Sequence, residues 1–594
     1  MMLNIKKSLN HTKNQLIILV LLTFGLNANT LFNDYALDDA VVMTGNNFVQ
    51  KGIKGIPEII TNDYVSGYTK QENILTGVRY RPFSLILFAI EYQFFGTNPF
   101  ISHLINVILF TLLILLLYKL LQTFVTPEQS HYLPFATCLL FAVHPIHSEV
   151  IANVKSRDEI ITFILLITSL ISIIKFYKTK KSWMFINSLF LFFFALLTKE
   201  TAVTFIGVVP LTLYFFSDQS IKRSLRSSLP FILIFIGYLT IRYFMVGFKH
   251  YPVNDVTNAP YLYATYSQAL ATKFYVLIKY IGLLFFPYPL SSDYGYNQVP
   301  YINLISLKFF FSLIILSGIL YYAINNFKKR AVLSFCILFF FATLSVGSNF
   351  IIDLGTIMAE RMLFQSSLAA CIAMAFLFMS ISKSSNLLAN TSLLILLALF
   401  SIKTFSRNRE WKNNETLILS DVISSPNSAR MNLYACEQYI IKANKTASHE
   451  SRNNYINKAV FYGEQSLKIQ STFAYSFLKT GIAYYYQNNY ERSADLMLQA
   501  LKRDSIDPEI RKWTDHLSDI FYKQGNGQYE ERNFDKAIAN YRKSINLNAN
   551  NTEAWYNLGG IYFLKNDTIN ANNSWEMVRK INPTHPLNKK ELLK

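Results

Sequence analysis

Asp38 and Asp39 are adjacent carboxylates in a polar stretch that follows the first apolar segment of the chain. A carboxylate beside an acceptor hydroxyl can orient it and take its proton as the oxygen forms a new bond. Either acid could be that base, while the other could hold a divalent cation or a partner cation; a helix cap or a solvated acid pair is the plain alternative. Arg79 and Arg81 flank Tyr80 just before Pro82. Their guanidinium groups could grip a phosphate bidentately and stabilise a departing anion, or anchor a surface helix to lipid headgroups. Further on stand His144-Pro145-Ile146-His147-Ser148-Glu149, Arg157-Asp158-Glu159, Lys199-Glu200 and Glu360-Arg361. His144 and His147, at i and i+3, resemble half a metal site, but Pro145 lies between them and no third ligand is evident. Hydrogen bonds to substrate or to neighbouring acids are the expectation for both. Lys199-Glu200 and Glu360-Arg361 could be ion pairs that fix helix packing or could stabilise a leaving group. His103, on an apolar helix, is expected to be a helix-helix contact.

The elements that must position these groups are apolar. The 594 residues are 52% hydrophobic and 16% charged, with 49 Phe and 37 Tyr, the composition of a polytopic membrane protein with length for a second domain. A net charge of +19 gathers in short segments between apolar runs, where the positive-inside rule accounts for it, so nucleic acid is not an expected partner. Cys138, Cys336 and Cys371 lie in apolar segments and Cys436 stands apart, so neither a structural disulfide nor a zinc site is expected. Lys6, Lys7 and Lys13 precede the apolar run Leu16 to Leu26, which reads as a retained first helix rather than a signal peptide cleaved near Ala28.

About eleven spans follow if the N-terminus is inside. The basic turns at Lys175 to Lys181, Lys222 to Arg226 and Lys328 to Arg330 then share the inner side. Tyr261 to Pro289 is read as an interfacial or re-entrant helix, and Phe83 to Phe95 as a surface helix of the first outer loop. This threading carries every ionisable motif named above to the outer boundary, where charges beside hydrocarbon must pair, line water or meet a ligand.

Beyond Arg407 the chain turns to Asn-, Lys- and Tyr-rich amphipathic helices. Ala459, Gly463 and Leu467 recur as Ser493, Met497 and Leu501 at a spacing of 34, and Ala537, Tyr541 and Ile545 as Ala571, Trp575 and Arg579. The step between the two pairs is one repeat plus about ten residues. Trp555, Leu558, Gly559 and Tyr562, with Ala571 and Pro583 later in the unit, follow the tetratricopeptide pattern. Such helix pairs stack into a solenoid suited to an extended peptide, or act as a rigid spacer.

With both halves in view, the chain resembles the transmembrane and tetratricopeptide-repeat O-mannosyltransferase family, whose membrane part has the GT-C fold. The residues that carry the resemblance are Leu37-Asp38-Asp39-Ala40, Tyr80-Arg81-Pro82-Phe83-Ser84, Phe95-Gly96-Thr97-Asn98-Pro99 with His103 and Asn106, the His144 to Arg157 run, Thr198-Lys199-Glu200-Thr201, Ala359-Glu360-Arg361-Met362-Leu363 and Asn408-Arg409-Glu410-Trp411-Lys412-Asn413. The resemblance implies an all-α chain: a GT-C-like membrane domain over 1–406, with a first outer loop at about 29–99, and a tetratricopeptide α-solenoid over 407–594 on the outer face. It implies transfer of a sugar, typically mannose, from a polyprenyl-phosphate donor to Ser or Thr hydroxyls of exported proteins, with the repeats presenting the acceptor polypeptide. The base would be Asp38 or Asp39. Arg79, Arg81, Arg157, Lys199 and Arg361 would bind the donor phosphate, and His144, His147, Glu149, Glu200 and Glu360 would position substrate. A divalent cation could assist. Lys-, Ile- and Asn-rich composition suggests a bacterial inner membrane with the repeats in the periplasm; in a eukaryote the outer side would be the lumen of the endoplasmic reticulum. The competing reading is a non-catalytic membrane scaffold whose repeats assemble envelope proteins, and loss of Asp38 and Asp39 separates the two.

Overall fold

A computed structural model of the chain describes residues 2–68, 79–125, 132–217, 219–248, 256 and 258–585, with the side chains of 2–11, Lys6 and Lys7 among them, left aside. Every regular element among the described residues is helical. The chain forms two compact units, Met1–Ser425 and Pro426–Lys594. The division lies beyond the 406/407 boundary expected from composition because Asn414–Ser424, polar as it is, is tied back into the first unit: Asp421 receives both terminal nitrogens of Arg407, at 2.5 and 3.1 Å.

Among the described residues of the first unit seven helices are long and apolar enough to cross a bilayer: Thr12–Phe32, Pro99–Leu121, Val154–Thr179, Ile221–Val246, Tyr266–Phe285, Leu307–Asn325 and Asn386–Glu410. An eighth arises if Tyr132–Val143 and Pro145–Ala152, bent by 53°, count as one span. The bend falls at His144, where Pro145 can donate no backbone hydrogen bond and the His144 ring accepts the N–H of Ile146 at 3.3 Å. Ser182–Thr198, Glu200–Phe216, Val332–Leu344 and Ser367–Ser382 occupy the other expected spans but are shorter. At about 1.5 Å per residue, the 13 residues of Val332–Leu344 reach about 20 Å across a hydrocarbon layer of about 30 Å.

Tyr266–Phe285 passes the length test, although the sequence places it at the membrane boundary. Both of its halves are tied to neighbouring segments. Thr272 accepts the N–H of Ile302 at 3.0 Å and Gln268 donates to Asn303 at 3.1 Å, just before Leu307–Asn325 begins. Near its end, Tyr280 accepts the N–H of Ala359 at 3.0 Å and the Leu284 carbonyl lies 2.9 Å from the His144 ring. Leu307–Asn325 runs about 28 Å toward Arg330, which donates to the carbonyls of Ser217 and Gln219 in the opposite basic turn.

The loop that follows the first apolar helix folds into a lobe with its own core. Val42, Met43, Val49, Ile59 and Tyr64 pack on Leu85, Phe88 and Ala89 of Pro82–Phe95, and Val154 closes the cluster. Residues 408–414 clasp the start of this loop: Asn33 donates to the Asn408 carbonyl at 3.1 Å, Asp34 N–H to the Lys412 carbonyl at 2.8 Å, and Leu37 N–H to the Asn414 side chain at 2.7 Å.

The second unit contains four helix pairs, beginning with Ala429–Lys445 and His449–Ile469 and ending with Thr552–Leu564 and Thr568–Ile581. The small residues of the 34-residue pattern sit at the crossings. A Cβ on Gly525 would lie 2.6 Å from the Tyr541 ring, and one on Gly559 would lie 2.5 Å from the Trp575 indole nitrogen; Ala459, Ala537 and Ala571 are buried. The additional residues of the irregular step lengthen one first helix, Pro508–Glu530, to 23 residues against 13 in Ala474–Tyr486.

Candidate functional site

The two adjacent acids differ completely in environment. Asp39 is fully buried and accepts two backbone N–H bonds, from Ala36 at 3.0 Å and Lys155 at 2.8 Å. It pins the loop to the turn Val154–Ser156. Burial pushes its carboxyl up to about 7, against the pull of those two bonds. The Asp38 side chain is 52% exposed and meets the Lys155 ammonium at 2.9 Å. The Lys155 charge, reinforced by Arg361 and Arg79, holds the Asp38 carboxyl below the usual carboxylate range despite the opposing effect of desolvation.

Asp38 therefore presents an ionised, reachable carboxylate to three cations drawn from distant parts of the chain. Arg79 is exposed where it leaves the first loop, its backbone N–H bonded to Asp63 at 3.0 Å. Arg361 is held by Glu149, which takes its backbone N–H at 2.8 Å and one guanidinium nitrogen; its side chain is part exposed. Lys155 is the member that sequence reasoning missed. Its signal is a lysine between Asn153 and Arg157 in a short polar break between apolar runs.

Other motif cations are paired inside the protein. Arg81 grips Glu200 with two nitrogens, at 2.7 and 2.6 Å, and Asp158 with the third at 2.6 Å. Lys199 lies between Asp158 at 3.0 Å and Glu159 at 2.8 Å. Arg157 is buried over the Phe88 ring, with Asn106 at 2.6 Å, the Ser102 carbonyl at 2.9 Å and Glu91 as partners. Glu200 is thus a partner of Arg81 and Glu149 a partner of Arg361. Glu91, inside an apolar helix, is a second member missed from sequence.

The histidines also turn inward. Both rings are completely buried. His147 bonds the Phe141 carbonyl and the Ser367 hydroxyl, each at 2.8 Å, and His144 bonds Leu284 and Ile146 as described. His103 is buried near the Asp34 carbonyl, at 3.4 Å. Glu360 is buried as well, accepting the Ser291 N–H at 2.5 Å and the Tyr294 hydroxyl at 2.8 Å; burial pushes its carboxyl up. Arg407 and Asp421, neither singled out from sequence as charged partners, extend this network through the Ser292 N–H, 2.6 Å from Asp421. Among the described residues no three His, Cys, Asp or Glu side chains converge as a metal site. The four cysteines are buried free thiols.

Known proteins give these elements a context. A model of the family described as "TPR repeat" matches residues 519–566, and one described as "Tetratricopeptide repeat" matches 478–528. "Protein O-mannosyl-transferase F38B6.6" of Caenorhabditis elegans is 26% identical over 431 residues, covering 70% of this chain and 58% of the relative. "Protein O-mannosyl-transferase TMTC1" of Homo sapiens is 27% identical over 447 residues, covering 68% and 50%. "Protein O-mannosyl-transferase TMTC3" of Homo sapiens is 22% identical over 622 residues, covering 94% and 67%. The chain thus spans between half and two thirds of the length of these curated relatives. The fold and the comparisons together make the chain a multi-pass membrane homologue of proteins named protein O-mannosyl-transferases, with tetratricopeptide repeats toward its C-terminal end.

Proposed function

We propose that the protein is a membrane glycosyltransferase that moves a sugar, mannose first among candidates, from a polyprenyl-phosphate donor to Ser or Thr hydroxyls of exported proteins. The observation that carries this reading is the half-exposed Asp38 carboxylate bonded to Lys155, with the charges of Arg361 and Arg79 acting on it. Glycosyl transfer to a hydroxyl needs a base for the acceptor proton and cations for the departing phosphate, and this cluster supplies both side by side. Asp38 is the base, since Asp39 has both oxygens committed to backbone donors. While Lys155 is bonded to Asp38, the carboxylate is a weak base. A donor phosphate that draws the ammonium to itself frees Asp38 to take the acceptor proton as the glycosidic oxygen bond forms. Arg81, Arg157 and Lys199 act as struts that hold the loop and the helix ends in register. One free carboxylate among three cations does not fit a divalent cation, so no step is routed through one. The face bearing the cluster is the periplasmic or lumenal one, opposite the basic turns, and the repeat unit recruits the acceptor polypeptide.

The test is transfer of radiolabelled sugar from polyprenyl-phosphate donors to envelope proteins in membranes holding equal amounts of wild type and Asp38→Asn protein. Label that requires Asp38 supports the transferase. Absence of transfer from a broad donor panel, with repeat-dependent partner capture intact and unaffected by Asp38→Asn, would show a scaffold instead.

A further inference from the structure

A second cationic group lies on the outer boundary, away from the motifs discussed above. Lys279 of Tyr266–Phe285 and Lys308 of Leu307–Asn325 both stand over the ring of Tyr275, each with its ammonium 5.5 Å from the ring centre. Neither has a carboxylate within ion-pair distance among the described residues. Lys273, two turns earlier on the same helix, shows what a satisfied lysine looks like here: it pairs with Asp353 at 2.7 Å and covers the Tyr261 ring. Two like charges held at one ring repel each other, so an arrangement that keeps them together without a counter-charge is suited to an anion supplied from outside.

The surroundings identify that anion. Lys308 is in the first turn of a helix whose Leu307, Phe311 and Ile314 are 83%, 70% and 70% exposed. That stripe at i, i+4 and i+7 belongs against hydrocarbon. The lysine pair therefore sits where an apolar, lipid-facing helix surface meets the polar boundary, at the depth of lipid phosphates. Phe274 and Phe309, 5.7 Å apart edge to face, lock the two helices beneath it. Basic groups between membrane helices bind lipid headgroups on the cytoplasmic side, and the same pairing of ammonium with phosphate applies at this boundary.

We infer that Lys279, Lys308 and Tyr275 form a binding site for the phosphate of an outer-leaflet lipid, separate from the Asp38 cluster. The two ammonium groups straddle the phosphate, the Tyr275 ring fixes their spacing, and the lipid tail lies along Leu307 and Phe311. A membrane phospholipid and a polyprenyl monophosphate share this chemistry, and the experiment distinguishes them. The inference does not depend on the transferase reading.

Purified full-length protein in mixed micelles is titrated with phosphatidylglycerol, with diacylglycerol of the same tails, and with a polyprenyl monophosphate, and bound lipid is counted by native mass spectrometry. The phosphate-bearing lipids should bind and diacylglycerol should not. Each of Lys279→Gln and Lys308→Gln should weaken phosphate-lipid binding about five-fold, and the double variant more than either alone. A Lys279→Arg/Lys308→Arg protein should retain binding, which separates loss of charge from loss of fold. Preference for the polyprenyl phosphate at equal concentration assigns the site to the carrier lipid; equal or stronger phosphatidylglycerol binding assigns it to bulk phospholipid. The inference is overturned if the double Gln variant binds phosphate lipids as wild type does, or if diacylglycerol binds as well as phosphatidylglycerol.

Discussion

Two groups of charged residues in the first unit are built from the same side-chain types and end in opposite states. Around Arg81, Asp158, Glu159, Lys199 and Glu200 every charge has a near partner of opposite sign and four of the five side chains are buried. Around Asp38 the carboxylate is half exposed, one cation touches it, and two more bear on it from exposed or part-exposed positions. Buried ion pairs in a low-dielectric interior are worth keeping only when geometry satisfies both partners, and removing one partner strands the other. The closed group is therefore a joint that orders the first loop against the helix ends. The open group has spare valence for a ligand. Sequence motifs name both groups alike; the difference lies in which charges are left unspent.

The sharpest way to break this comparison is to remove the open group's carboxylate. Asp38→Asn should lower sugar transfer at least about 100-fold while the unfolding temperature stays within error of wild type. Retained transfer would move the chemistry elsewhere in the protein. The opposite signature is expected in the neighbouring buried pair. Arg157→Met leaves Glu91 unpaired under Phe88 and should cost about 3–5 kcal/mol of stability, read as a lower unfolding temperature and a poorer yield of folded protein in detergent. Arg79→Gln, at an exposed cation, should change stability by less than about 0.5 kcal/mol while weakening donor binding. If Arg157→Met were as stable as Arg79→Gln, the division into joint and site would fail.

Much of the architecture was legible because it depends on composition and period. Apolar runs mark the helices, and the 34-residue spacing with its ten-residue irregularity maps onto four helix pairs and one long first helix. The Asp38 and Asp39 contrast was not legible, since consecutive residues in an irregular turn can face opposite ways and only the Ala36 and Lys155 N–H groups decide which acid is buried. The partners of His144 and His147 were not legible either, since Pro145 bends the chain between them and the two rings, 5.4 Å apart, meet groups as distant as Leu284 and Ser367. Glu91 could have been found: a carboxylate in the apolar run Pro82–Phe95 has to meet a cation, and an arginine was the natural partner. Lys155 carries a signal, as a lysine in a polar break between apolar runs, but its partner was hidden, because that depends on a turn that brings residue 155 against residue 38.

A smaller effect is expected at the buried acid of the pair. Asp39→Asn turns one oxygen that accepts a backbone N–H into a donor facing a donor, which should cost about 1–3 kcal/mol. The pH dependence has a defined sign. With its carboxyl lifted to about 7 from an unfolded value of about 3.9, Asp39 makes the folded protein hold the proton more tightly. Its contribution to stability is thus fully present below about pH 4 and is lost as pH rises through about 7. Unfolding temperatures measured across that window should show a falling component in wild type that is missing in Asp39→Asn.

The smallest and most specific effect concerns Lys155. Its ammonium is the main influence holding the Asp38 carboxyl low, so Lys155→Met should let that carboxyl rise toward the ordinary value of about 3.9, with desolvation then set against Arg361 and Arg79. A base acts only when ionised. The variant should therefore lose activity on the acid side before wild type does, by a further factor approaching about two at pH 4 beyond whatever loss it shows at pH 7. The loss at pH 7 reports the missing contact to the donor phosphate, and the additional loss at pH 4 reports the changed base, so one pH series separates the two roles. If the ratio of variant to wild-type transfer stays flat between pH 7 and pH 4, either Asp38 is not the group that takes the proton or Lys155 does not govern it. In that case the open cluster would be a phosphate clamp whose base stands elsewhere.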